Sequence, residues 1–542
     1  MTLLLFFLLL FWLVIVWQKT GYYLWLWQTK EYRVDRMLAQ LFEPAGYKLI
    51  FTRDFYIKGL ALIGIILISS PQEIIPIALL LYGLHALYIL SLFFRKRIKF
   101  PQTSIKAVLL FSLSLTIQAV PPLYTAHFFN AAQTASLLMI IDIFIPVILT
   151  CLVIAFKPIT YCAKQIIAVL AKKKRAQFKN LIAIGITGSF GKTSTKEFLA
   201  HILASKFKTA YTKDHQNTEI GAARAILAMR QDTQILVAEM AAYRRGDIKE
   251  ISEVVKPTMG IITAIGSQHL ALFGTMEAIL DTKFELAKVL PKKGVLIVNW
   301  DNEYIRFKVQ GSRFKVVIKN SKLNIVRYSL EDERAQVYAD TIKESLENIE
   351  FTVHYRNERE NFQVNLLGKH NVSNILAASA AALTLGVTLK EISEAVSKIQ
   401  QIPHTMHLHW LPGNIPLIDD SYNASVDGVK AAFAYLKNWQ DKKRILVMPS
   451  LIELGDKAFI LHEELGQEIA RVCEAAFITD IKYKEPLWRG WKSAREDANN
   501  LHFHVDPQRL IEEVGQVIDE KSVILIEGRV PKEVTDFLLH HQ

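Results

Sequence analysis

Apolar residues follow two different patterns along this chain. In the first third they form long unbroken runs: "TLLLFFLLLFWLVIVW" (2–17), then 74–94, 107–124 and 135–156. Such runs read as membrane-spanning helices. The first lacks the basic n-region and small-residue cleavage site of a signal peptide, so it reads as a retained span. Tyr22, Tyr23, Trp25 and Trp27 follow it as an interfacial belt. A charged, helix-compatible stretch, "QTKEYRVDRMLAQLF", comes next. The run 59–70 is too short to cross alone; counting it, the pattern predicts about five spans. An uncharged loop containing Pro121 and Pro122 is expected between the last two. Beyond residue 180 the pattern changes to short apolar runs such as LIAI (181–184), ILVA (235–238) and VLIV (295–298), set between polar loops and helical stretches. Runs of that length suit the strands of an α/β domain.

Charge fixes the expected orientation. Segments 19–58, 95–106 and 157–179 carry many Lys and Arg, whereas 71–73 and 122–134 carry none. The positive-inside rule then puts the N-terminus outside and everything after 157 in the cytoplasm. The formal net charge of +12 lies largely beside apolar runs, at Arg95–Lys99 and Lys172–Arg175. That placement marks membrane edges rather than a nucleic-acid surface. At 542 residues, 51% hydrophobic and 21% charged, with mean hydropathy +0.20, the chain is expected to hold two to four domains, apolar and soluble parts fused. Cys151, Cys162 and Cys473 form no C-x-x-C pair, which excludes a cysteine zinc ribbon and a disulfide framework. Asp142 and His85 fall within predicted spans, and an intramembrane carboxylate is a functional candidate.

The chemistry is concentrated in "GITGSFGKTSTKEF" (185–198). An apolar run, a glycine loop, then Lys-Thr and a helix is the P-loop arrangement. Backbone N–H groups of Gly188, Ser189, Phe190, Gly191 and the helix start at Lys192, Thr193 and Ser194 would face phosphate oxygens. Lys192 would add positive charge, and the Thr193 hydroxyl can ligate magnesium. The usual spacing asks for glycine at 186, where this chain has Ile186.

The same loop resembles that of the Mur ligases, ATP-dependent enzymes joining amino acids or dipeptides to the peptidoglycan stem. Further segments follow in the family's order. "QNTEIGAA" (216–223) resembles its N-x-x-I-G, and "QILVAEMAAYRRGDI" (234–248) its strand ending in a glutamate, here Glu239, with Ala241 where glycine is common. "GIITAIGSQHLALFGTMEAILDTKFEL" (260–286) resembles the stretch holding a histidine, His269, and a carbamoylated lysine, Lys283. "VLIVNWDNEY" (295–304) resembles the turn where Asn299 and Asp301 approach nucleotide, and "LLGKHNVSNILAASAAAL" (366–383) the segment presenting His370 and Asn371, with Asn374 in its helix. "PLIDDSYNASVDGVKAAFAYL" (416–436) resembles the opening of the family's third domain, carrying over Asp420 and Asn423 beside Tyr422. "RILVMPSLIELGDKAFILHEELG" (444–466) is most familiar from the D-alanyl-D-alanine-adding (MurF-type) branch, with Glu453, Leu454, Gly455 and His462 retained and Pro449 and Ser450 replacing Gly-Asp.

The resemblance implies a three-part chain. Residues 1–175 form an α-helical membrane domain, 176–400 a central α/β P-loop ATPase domain with a mainly parallel sheet, and 401–542 a Rossmann-like α/β domain. It also implies ATP and two magnesium ions held by Thr193, Glu239, His269 and carbamoylated Lys283, catalysis by Lys192, Glu239, His269 and Lys283, and a hinge near 400. The reaction implied is amide formation through an acyl phosphate. Thr405 stands where an arginine is usual, Val426 where a proline is, and Glu527 where the family has lysine. These departures leave the incoming amine open, whether a D-Ala-D-Ala-like dipeptide or an amino acid. Membrane spans occupy the place of the family's UDP-sugar-binding domain. The acceptor is therefore expected to be a membrane-associated cell-wall precursor such as a lipid-linked muropeptide, or the spans tether the enzyme in the cytoplasmic membrane beside that chemistry. The alternatives are another amide ligase of the superfamily, of polyglutamate or cyanophycin type, or a P-loop transport ATPase. The last should show a strand ending in Asp-Glu and a signature loop, which this chain lacks.

Overall fold

In a computed structural model, residues 2–42, 46–67, 71–95, 98–125, 128, 130–213, 216–311, 323–495 and 499–540 are described. The chain divides into two compact units, Met1–Ala163 and Lys164–Gln542.

The first unit is helical. Among the described residues, four stretches have the length and apolarity to cross a membrane: Leu3–Thr29, Ile74–Phe94, Ile105–Tyr124 and Gln133–Gln177. The run expected at 59–70 falls in the shorter helix Arg53–Leu67, and its last residues lie outside the described ones, as do Lys96 and Arg97 of the basic segment. Pro121 and Pro122, expected in a loop, lie instead near the end of the helix Ile105–Thr125. Prolines are tolerated in apolar spans because neighbouring groups take up the freed carbonyls.

Asp142 does not stand alone in this unit. Lys19 Nζ lies 2.6 Å from Asp142 Oδ1 and 2.5 Å from Asp54 Oδ2. Lys58 pairs with Asp142 and lies 3.0 Å from Asp54 Oδ1. The Tyr82 hydroxyl donates to Asp142 at 3.3 Å, and His85 Nδ1 lies 2.9 Å from Asp54. Two lysines and two carboxylates from three helices thus neutralise one another, as burial among apolar residues requires. The adjoining cavity, lined by Lys19, Tyr23, Thr52, Lys58 and Asp142, has about 10 Å³, room for roughly one water.

The second unit contains two sheets. The larger comprises β1 (Ile182–Thr187), β2 (Thr209–Tyr211), β3 (Ile235–Glu239), β4 (Met259–Ile262), β5 (Val295–Asn299), β6 (Asn324–Ser329), β7 (Val337–Glu344), β8 (Ile349–Tyr355) and β9 (Glu358–Val364), in the order β2-β3-β1-β4-β5-β6-β7-β8-β9. Strands β1 to β6 run parallel, and β7 to β9 form an antiparallel extension. β1 and β3 are buried almost throughout, so they read as continuous apolar runs rather than alternating ones. Between β1 and β4 the strand order reverses direction. Crevices at such reversals, beyond the carboxyl ends of the strands, are where open α/β sheets bind ligands. The smaller sheet, β10 (His407–Leu411), β11 (Ile415–Asp420), β12 (Lys443–Met448), β13 (Ala475–Ile478), β14 (Leu501–Phe503) and β15 (Ser522–Glu527), has the order β10-β11-β15-β12-β13-β14 and is parallel except at β10. The expected α/β architecture of both soluble parts is therefore present.

Candidate active site

The loop 188–191 links β1 to the helix Lys192–Ala204 at that reversal point. Gly191 adopts φ +78° as the helix N-cap, and a Cβ there would lie 2.4 Å from the Asn374 Oδ1. Only glycine meets both demands. The loop is braced from β4: Ser189 N donates to the Ala264 carbonyl at 2.7 Å, and the Thr263 hydroxyl donates to the Phe190 carbonyl at 2.5 Å. Ser194 is buried in the first helical turn. Helix N–H groups and the positive end of the helix dipole thus face the loop's concavity, the arrangement that attracts phosphate.

Lys192 folds over this loop, its Nζ donating to the Gly188 and Ser189 carbonyls at 2.9 Å each. Burial lowers its ammonium's affinity for a proton, and the Glu239 charge opposes that shift. Glu239, at the end of β3 and in register with Ile186 of β1, accepts from the Thr193 hydroxyl at 3.0 Å and from Asn217 Nδ2 at 3.1 Å. Lys196 Nζ lies 3.7 Å away. Thr193 and Glu239 therefore offer two hard oxygens side by side, as a magnesium ion requires.

His269 and Lys283 come to the same place. Lys283 is 3% exposed at the end of the helix Met276–Lys283, and among the described residues it makes no ion pair. Burial first, then the Lys192 charge, pushes its pKa well below the usual lysine range. The Asp247, Glu285 and Glu239 charges oppose that shift, and a neutral amine is the form that can take up carbon dioxide. His269 is held neutral chiefly by burial, with the Lys192 and Lys283 charges adding to the effect and Glu453 opposing it. Its Nδ1 is taken by the Glu453 carboxylate, and the Tyr243 ring meets it edge-on at 4.8 Å. Lys192, Thr193, Glu239, His269 and Lys283 thus surround one region. Its donor set of hydroxyl, carboxylate, imidazole and a carbamoylatable amine fits divalent cations next to phosphates.

The remaining sequence candidates are placed differently. Asn299, at the end of β5, accepts from Asp301 N at 3.0 Å and lies 3.5 Å from the Ser373 hydroxyl. Asp301 caps the turn at Ser329, accepting from Leu330 N at 2.8 Å. His370 opens the helix His370–Thr384; burial drops its pKa to about 4, so the ring is neutral, and among the described residues its Nδ1 has no hydrogen-bond partner. Asn371 is buried, donating to the Leu367 carbonyl at 2.8 Å and accepting from Asn374, which stands behind Gly191. Asn371 and Asn374 therefore brace the phosphate loop from behind.

Asp420 is turned into its own domain, where Met406 N donates to it at 3.1 Å; Asn423 is exposed. Asp420 is the register neighbour of Glu527 across β11 and β15. Burial raises Asp420 to about 6 and Glu527 well above the usual carboxylate range, with the Asp420 charge adding to the latter. Among the described residues neither Glu527 oxygen has a well-formed hydrogen bond, yet the two carboxyls are close enough for Asp420 to add to the upward shift of Glu527.

Sequence reasoning did not single out Asp427. It lies at the start of the helix Val426–Leu436, yet its carboxylate reaches the segment beside the phosphate loop: a Cβ at Gly266 would lie 2.4 Å from Asp427 Oδ2 and 3.1 Å from Phe190 Cε1. Burial raises its pKa. Its signal was an acidic residue one place after the family's proline position.

Comparison with known proteins agrees with this architecture. Residues 186–382 match the model of the Mur ligase middle domain, and 406–530 that of the Mur ligase glutamate ligase domain, together more than half of the chain. A UDP-N-acetylmuramoyl-tripeptide–D-alanyl-D-alanine ligase of Mycobacterium tuberculosis is 30% identical over 57% of this chain; the chain spans 61% of that relative's length. Crystallised MurF from Acinetobacter baumannii is 25% identical, with a TM-score of 0.62 over 70% of this chain and 81% of its own. MurF from Thermotoga maritima, solved with ADP, shares the fold at 24% identity and a TM-score of 0.59 over 69% of this chain and 83% of its own. The β1–loop–Lys192 site and the two domains around it belong to a chain of the Mur ligase family.

Proposed function

We propose that this chain is an ATP-dependent carboxylate–amine ligase that works through an acyl phosphate. It would add a D-Ala-D-Ala-like dipeptide or an amino acid to a muropeptide or related cell-wall precursor at the cytoplasmic membrane. The observation that carries this reading is the convergence of Lys192, Thr193, Glu239, His269 and Lys283 on the phosphate loop. Loop N–H groups and Lys192 hold the triphosphate and offset charge on the transferring phosphoryl group. Thr193, Glu239, His269 and a carbamoylated Lys283 would hold two magnesium ions, which neutralise phosphate charge when bound. The acceptor carboxylate attacks the γ-phosphorus and ADP leaves; the amine then attacks the acyl carbon, phosphate departs, and one amine proton is released. Closure of residues 401–542 over the loop excludes water from the acyl phosphate.

The four long apolar helices and the loop charges support a multi-pass protein with its ligase domains in the cytoplasm and a lipid-linked acceptor. Phosphate release by the purified full chain, with lipid-linked or UDP-linked muropeptides and a panel of amines, tests this. Release that requires both an amine and an acceptor, with preference for the lipid-linked one, is expected. Preference for the UDP-linked acceptor overturns the lipid-linked part, and amine-independent hydrolysis overturns the ligase reading.

A further inference from the structure

His269 and Glu453 come from different domains and meet at an unusual junction. Both have left-handed backbones, with φ +62° and +63°. The Ala271 N–H donates to the Glu453 carbonyl at 3.0 Å, and a Cβ at Gly455 would stand 3.3 Å from Ala271 Cα, so the two backbones are in direct contact. Non-glycine residues held in this conformation are uncommon and concentrate where the surroundings over-determine them. Across the junction the Glu453 carboxylate takes His269 Nδ1, while the Tyr243 ring fixes the imidazole plane from the side. A carboxylate accepts only from a protonated nitrogen, so the neutral ring carries its hydrogen on Nδ1 and its lone pair on Nε2. A carboxylate on the far nitrogen is the usual means of orienting a histidine toward a metal.

We infer that Glu453 is a positioning residue: from the C-terminal domain it sets the tautomer and direction of His269, so that the cation ligand is completed only when the two domains are docked. This inference rests on the ligase reading above and adds a coupling to it. The two oxygen donors Thr193 and Glu239 both belong to the central domain and are held to each other by a hydrogen bond of 3.0 Å within it. One cation site is then intrinsic to the phosphate loop, and the second depends on closure. The apparatus that would stabilise the transferred phosphoryl group is assembled only in the state that also excludes water.

The test uses the full chain in detergent with a non-hydrolysable ATP analogue, counting bound Mn²⁺ by electron paramagnetic resonance. Glu453→Ala should weaken one Mn²⁺ site ten- to a hundredfold and leave the other, and the analogue's own affinity, within about threefold. Glu453→Gln keeps an acceptor for Nδ1–H and should restore Mn²⁺ binding to within about threefold. If Glu453→Ala binds both ions like the wild type, Glu453 does not position His269, and the ligase reading stands untouched. If Glu453→Ala loses analogue and both ions to the same extent, the residue only docks the domains, and the inference also fails. A wild-type chain that binds neither analogue nor Mn²⁺ defeats the ligase reading itself, and this inference with it.

Discussion

Replacing Glu527 by glutamine should make the C-terminal domain more stable at neutral pH, and progressively so as pH rises. Glu527 is fully buried at the end of β15 beside Asp420. Its folded pKa lies well above the usual 4.5, by burial first and then by the Asp420 charge. A carboxyl raised in this way contributes stability that is complete below its unfolded pKa and is lost as pH climbs to the folded pKa. Through that window the folded chain holds one proton more than the unfolded chain, a slope of about 1.4 kcal/mol per pH unit. Asp420, raised from 3.8 to about 6, adds a second slope that ends near pH 6 and amounts to no more than roughly 3 kcal/mol. Glutamine keeps the shape and can donate an amide hydrogen to Asp420 at every pH, so only the Glu527 slope disappears. For a domain of this size 1 kcal/mol is about 3 °C. The variant's melting temperature should therefore gain on the wild type by about 4 °C per pH unit above pH 5, until the folded pKa is passed. Differential scanning fluorimetry of both full chains from pH 5 to 8 reads this directly. A gap that stays constant or shrinks with pH would refute the buried acid pair.

Two further substitutions probe the remaining elements. Gly191→Ala forces a side chain into φ +78° and against Asn374, costing about 1–2 kcal/mol in backbone strain alone; nucleotide affinity by calorimetry should fall more than tenfold, and an unchanged affinity would mean the loop does not cradle phosphates. Asp142→Asn leaves Lys19 and Lys58 with Asp54 as their one remaining ion-pair partner among the described residues, so detergent-induced unfolding followed by tryptophan fluorescence should show a loss of about 3–5 kcal/mol; a loss below about 1 kcal/mol would show that the cluster is hydrated and open.

The parts legible in the sequence were those in which chemistry and backbone geometry are encoded within a few residues. The loop 188–191, Glu239 at a strand end, and His269 fourteen positions before Lys283 are local patterns, and the structure brings these segments together. What the sequence concealed are contacts between distant segments. Glu453 meets His269 across 184 positions, and Asp427 reaches Gly266 from another domain. No periodicity or spacing encodes such pairs, because they depend on how two independently patterned sheets are docked. Asp142 was visible as an odd charge in an apolar run, but its partners Lys19 and Lys58, and the Asp54 that shares them, lie in a segment whose charges read as a cytoplasmic edge. Asp420 has surroundings that its motif did not disclose. Its motif pointed to the nucleotide, whereas its side chain is turned toward Met406 and Glu527, and the glutamate in place of the family's lysine gives it an acid where a cation would otherwise stand.

The most direct test is ATP turnover by the purified full chain with a muropeptide acceptor, D-Ala-D-Ala and magnesium, set beside Lys192→Ala. Phosphate release should require both the acceptor and the amine and fall at least a thousandfold, about 4 kcal/mol of transition-state stabilisation, in the variant. Turnover that persists without the amine, or that survives loss of Lys192, would contradict the ligase reading.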